Sequence, residues 1–151
     1  MSATIEAKDL PNVIRLEDEI PLLEFTVNGD VYRFILEEIS RARQWGSMEA
    51  YTLTGRSISA LLSSPMSDPI TFTNATEVSA VQLVKQIAAD AVGNAVSVHW
   101  ENVVSDIGWV LPANAVSISG KSPIEAIAEI VKPVGAVVFS HPSQPVIVII
   151  S

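Results

Sequence analysis

The chain has 151 residues, enough to bury a core in one domain or in two small lobes, and its 17 acidic against 9 basic residues give a net charge of -8 that repels a phosphate backbone and argues against nucleic acid as a partner. Hydrophobic residues make up 48% and charged residues 17%, a composition that folds, and a mean hydropathy of +0.37 leaves apolar surface for contact with partners. Cysteine is absent, which removes disulfides, thiolate metal sites and cysteine nucleophiles and fits a reducing cytoplasm or a particle assembled there.

Residues 1–21 mix charges with isolated apolar side chains and hold Pro11 and Pro21, so they read as an N-terminal arm; no basic-then-apolar leader opens them, and export through a cleaved signal is not expected. From Leu22 the pattern turns to strand. Leu23, Phe25 and Val27 alternate with polar residues, Asn28-Gly29-Asp30 is a tight turn, and Val31 to Ile39 runs back, which is a hairpin. Arg41, Arg43 and Gln44 interrupt it, and Ala50 to Thr54 resumes a strand that ends at Gly55-Arg56. Residues 22–64 are therefore expected to form a small β-rich lobe, with Ser57 to Leu62 as a short helix.

Residues 65–151 read as an α+β lobe. After a loop through Pro69 and a short apolar edge at Ile70 to Phe72, Asn74 or Thr76 caps a helix reaching about Ala91, with Glu77 placed to close a capping box on Asn74. Its stripe is Val81, Val84, Ile87, Ala88 and Ala91. Gly93-Asn94 stops it and Ala95 to Trp100 alternates as a strand. The second unit repeats the design: Ser122 caps, Pro123 opens the helix and Glu125 closes the box. Ile124, Ile127, Ile130, Val131 and Val134 form its stripe, Gly135 marks the stop, Ala136 to Phe139 is a strand, residues 141–145 turn, and Val146 to Ile150 returns. That last apolar run is far too short to span a bilayer, and no membrane is expected. The expected core holds Phe25, Val27, Phe34, Leu53, Leu61, Leu83, Val84, Ile87, Val98, Ile127, Ile130, Val138 and Val148. With Val148 inward, a period of two turns Ile147 and Ile149 outward, where a neighbouring chain would cover them.

No residue set for chemistry emerges. His99 and His141 are the only histidines, and pairing either with Ser117, Ser119 or Ser140 and with Asp106 would build a hydrolase, but no nucleophile-elbow pattern surrounds those serines. Metal-ligand spacing and a phosphate-cradling glycine loop are both missing, so neither metal nor cofactor is expected. Of the tryptophans, Trp100 ends an alternating strand and reads as core, whereas Trp45 sits in a polar stretch with Arg41 and Arg43 and reads as an interface anchor. Arg41, Arg43 and Arg56 are expected to pair with carboxylates such as Glu37, Glu38 and Glu49. Trp45, Arg43, Ile147 and Ile149 are thus the candidate interface residues.

Tyr51-Thr52-Leu53-Thr54-Gly55-Arg56-Ser57, then Ala60-Leu61-Leu62 and the Ser64-Pro65 loop, resembles the baseplate hub proteins of bacteriophage tails, of the Mu-like and late-control-D-like kind. The resemblance continues through Phe72-Thr73-Asn74 before a helix containing Gln82-Leu83-Val84, then Gly120-Lys121-Ser122-Pro123-Ile124-Glu125-Ala126-Ile127, and Gly135 before an apolar strand. It covers roughly Glu24 to Ile150 and lies in the order of these pieces. It implies a phage or prophage tail component without enzymatic residues, forming a ring, often trimeric, with other tail proteins, in the virion tail after assembly in the bacterial cytoplasm. Such hub proteins usually carry further β-domains, which makes this chain a domain or fragment of a longer tail protein on that reading. A different module also fits: N-terminal domains of secretins and outer-membrane receptors, where a helix on short strands forms rings or meets partners. The expected fold is α+β, with an antiparallel N-terminal sheet and two helix-strand units packed on mixed strands.

Overall fold

A computed structural model of the chain describes residues 2–6, 21–43, 49–101 and 109–150. The fold is α+β, as expected, and divides into two compact units, Met1–Ser57 and Ile58–Ser151. The boundary falls ahead of the short helix, whereas loop composition had put it after Ser64.

The first unit is an antiparallel sheet of β1 (Ser2–Glu6), β2 (Leu22–Val27), β3 (Asp30–Arg43) and β4 (Glu49–Arg56), in the order β1-β4-β3-β2. Asn28 at φ 54° and Gly29 at φ 93° form the turn between β2 and β3, the mirror-image geometry whose twist suits a hairpin and which glycine adopts without strain. Leu23, Leu36 and Leu53 bury together, with Phe25 and Phe34 packed on them edge to face at 6.1 Å between ring centres. Across the hairpin Arg33 Nε meets Glu24 Oε2 at 2.8 Å, directly opposite in register.

Three expectations change here. The start of the arm is a strand, because Ser2 to Glu6 pair with Thr54 to Ala50; residues 7–20 lie outside the described part. β3 does not stop at Ile39 but continues through Arg41 to Arg43, since pairing with β4 supplies the ladder that side-chain alternation did not signal. Val27 is 50% exposed at the hairpin end and is no part of the core.

β3 also carries a bulge. Leu36 lies opposite Gly55 and Glu38 opposite Thr54, so Glu37 is an extra residue with no partner in the register. The strands approach so closely there that a Cβ on Gly55 would sit 2.4 Å from the carbonyl oxygen of Ile35.

The second unit begins with a 3-10 helix, Ile58–Leu62, whose Ala60, Leu61 and Leu62 are buried. Two ribbons follow, β5 (Ile70–Thr73) with β9 (Ser117–Lys121), and β6 (Val78–Ser79) with β8 (Val110–Leu111), both antiparallel. Helix α1 spans Ala80–Val92 and helix α2 spans Pro123–Val131, extended by a 3-10 turn at Lys132–Val134. The remaining strands, β7 (Ser97–Glu101), β10 (Val137–Ser140) and β11 (Val146–Ile150), form a mixed sheet with β11 central, antiparallel to β10 and parallel to β7.

The second helix start is as expected. The Glu125 carboxylate accepts the Ser122 N–H at 2.9 Å and the Ser122 hydroxyl at 2.7 Å, and both bonds hold its carboxyl below the usual range. The first helix start differs. Its N-cap is Ser79, not Asn74 or Thr76, because buried Asn74 is committed to the tertiary structure. Its Nδ2 donates to Pro112 O at 2.7 Å and Thr76 O at 3.1 Å, and its Oδ1 accepts Val116 N–H at 2.8 Å, tying the start of α1 to the β8–β9 connection. The buried face of α1 is correspondingly Ala80, Leu83, Val84, Ile87 and Ala88, with Val81 and Ala91 only half-buried. In α2 it is Pro123, Ala126, Ile127, Ile130 and Val131, and Val134 is exposed.

Candidate assembly surface

The β10–β11–β7 sheet decides which apolar residues meet solvent. β11 is flanked on both sides, so its register fixes its faces: Ile147 and Ile149 stand beside Val98 and Trp100 of β7, while Val148 stands between His99 and Phe139. Ile147 and Ile149 are fully buried, on the inner face of the sheet. Val148 is buried too, at 5% exposed, so its expected place in the core holds, while Ile147 and Ile149, expected to face outward, are covered as well. The strand is Val146-Ile147-Val148-Ile149-Ile150, and an unbroken apolar run gives no alternation from which to read the inward side.

The outer face is apolar nonetheless. On β10, Val137 is 63% and Phe139 41% exposed, and beside them on β11 Ile150 is 37% exposed while Val148 is buried. Val137 is opposite Ile150, and Phe139 is opposite buried Val148, so the apolar side chains exposed on this face are Val137, Phe139 and Ile150. Ser97, His99 and Glu101 of β7 border it with polar groups. A polar rim beside an apolar centre is the arrangement of a protein contact. The expected strand Ala136 to Phe139 gives only Val138 to the core, and a period of two puts Val137 and Phe139 on the opposite side.

The other candidates separate. Trp45 lies outside the described residues, and Arg43 ends β3 opposite Glu49, with its side chain outside the described part. Arg56 pairs with Glu37 as expected, through Nε at 2.8 Å and Nη2 at 2.5 Å, and this hydrogen-bonded guanidinium holds the Glu37 carboxyl below the usual range. Lys121 Nζ meets Glu129 Oε2 at 2.5 Å, an exposed pair.

No hydrolytic constellation assembles among the described residues. His99 is exposed on β7, and His141 Nδ1 accepts the N–H groups of Ser143 and Gln144 at 3.3 and 3.1 Å, which occupies its lone pair within the turn. Ser140 Oγ accepts Ser59 N–H at 3.2 Å, Ser117 Oγ lies 3.3 Å from Thr73 Oγ1, and Asp106 is outside the described residues. No group of three metal-ligating side chains is found among the described residues, and no helix among them is long and apolar enough to cross a membrane.

No protein-family model and no curated protein matches the chain. Solved structures do. A tail protein from Neisseria meningitidis superposes with a TM-score of 0.63 at 17% identity, over 98% of this chain and 40% of that one. The 43 kDa tail protein of prophage MuSo2 from Shewanella oneidensis gives 0.60 at 18% identity, over 98% of this chain and 44% of that one. The chain thus spans less than half the length of either, and across nearly all its own length it shares their fold.

Proposed function

We propose that this chain is a structural part of a phage or prophage tail, at the baseplate hub or tail tip, where it assembles with other tail proteins and performs no catalysis. The observation that carries this reading is the fold shared with two tail proteins over 98% of the chain. The resemblance read from Tyr51 to Ser57 and from Gly120 to Ile127 points the same way. The exposed patch of Val137, Phe139 and Ile150 supplies surface that a tail neighbour would cover, and a homo-oligomer, with a trimer favoured, follows from the hub resemblance. The place of action is then the virion tail, after assembly in the bacterial cytoplasm.

Electron microscopy of purified tail particles decorated with an antibody to this chain tests the reading. Label at one end of the tail is expected. Label along the whole tube would make the chain a tube component, and unlabelled tails would overturn the proposal.

A further inference from the structure

A groove of about 440 Å³ opens in the second unit between the segment Ser67–Phe72 and one side of α1. Its apolar lining is Ile70 and Phe72 from β5 against Leu83 and Ile87 from α1. The size falls within the range of ligand sites, roughly 300 to 1,000 Å³.

One wall is an unpaired strand edge. Among the described residues β5 pairs with β9 alone. Asn74 N–H bonds Val116 O across that ribbon, and Phe72, two residues earlier, lies opposite Ile118, so residues 72 and 74 aim their backbone groups at β9. By the alternation of a ladder, the N–H and C=O of Thr71 and Thr73 then point to the open edge. Such an edge binds extended backbone by adding it as a strand.

The charges specify the occupant further. Asp68 and Asp90 stand on opposite walls, both exposed, and neither has an ion pair among the described residues. Asp90 also lies in the last turn of α1, which holds no basic residue, so its carboxylate adds to the negative end of the helix dipole. A cation entering there is favoured by the carboxylates and by the helix terminus together.

From this geometry we infer that the groove is a docking site for an extended peptide segment of a partner protein, in which apolar residues alternate with lysine or arginine. The segment adds to β5 through Thr71 and Thr73, lays its apolar side chains toward Ile70, Phe72, Leu83 and Ile87, and brings its cations to Asp68 and Asp90. The inference stands on β5 and α1 and is independent of a place in a phage tail.

The test is an amide-detected NMR titration of the intact chain with a short synthetic peptide alternating Val with Lys and Thr, beside a control in which Glu replaces each Lys. The expected result is saturable shifts confined to Ile70–Thr73 and Leu83–Ala91, slower hydrogen exchange at Thr71 and Thr73, and no response to the Glu peptide. The Asp68→Asn, Asp90→Asn double variant, whose changes are on the surface, is expected to keep its spectrum and bind about fivefold more weakly. Absence of saturable shifts, equal response to both peptides, or shifts centred on Val137 and Phe139 would each overturn the inference.

Discussion

Glu37 and Arg56 are joined across the bulge of the first sheet: the extra residue of β3 takes the guanidinium of the last residue of β4 through Nε and Nη2. An exposed ion pair usually contributes little, but here the acid is also the residue that the ladder leaves out. The pair therefore fixes where the irregularity sits.

Because Arg56 lowers the Glu37 carboxyl, the stabilisation is present above the ordinary glutamate value of about 4.3 and is lost as pH falls through the lowered value of the folded chain. Wild type is expected to unfold at a higher temperature than Glu37→Gln at pH 7, with the gap narrowing below about pH 4 and closing in stronger acid. Thermal unfolding across that range checks this. A gap of constant size from neutral to acid would show that the carboxylate charge plays no part.

Gly55 is required by closeness rather than by turn geometry. A methyl group there meets the Ile35 carbonyl at 2.4 Å, and backbone cannot yield as a flexible side chain would. Gly55→Ala is expected to cost about 1 to 3 kcal/mol in denaturant unfolding, the usual penalty for forcing an extra carbon into a packed site. Unchanged stability would mean that the strands separate there without cost.

Asn74 joins two parts of the second unit through one amide. Replacing it with alanine leaves the Pro112 carbonyl and the Val116 amide without their partner, and a loss of about 2 kcal/mol is expected. A shift of that size in the denaturant midpoint with an unchanged slope would confirm it. A loss limited to a few tenths would place water in the vacated site.

The contrast between Asn74 and Ser122 shows what the sequence carried. Ser122 and Glu125 are three residues apart and their hydrogen bonds are local, so the start of α2 was legible, as was the Asn28-Gly29 turn. Asn74 looks like a cap by the same rule, yet its partners include residues 38 and 42 positions away, and those contacts prevail over a local cap. The extension of β3 through Arg41 and Arg43 was hidden for a similar reason, since its cause is β4. The burial of β11 was hidden by composition: every residue from Val146 to Ile150 is apolar, and its central place between β7 and β10 is what leaves Ile147, Val148 and Ile149 all buried. The exposed apolar residues of this sheet are Val137 and Phe139 of β10 with Ile150 at the end of β11, not Ile147 and Ile149.

The direct test of assembly is light scattering over a concentration series, on wild type and on the Val137→Asp, Phe139→Asp double variant. Both substitutions are at exposed positions, so the variant is expected to keep the wild-type circular dichroism and unfolding temperature. The account predicts a defined oligomer for wild type, with the mass of a trimer, and a monomer for the variant. A wild-type monomer at every concentration, or an oligomer that survives both substitutions, would contradict assembly through the outer face of β10 and β11.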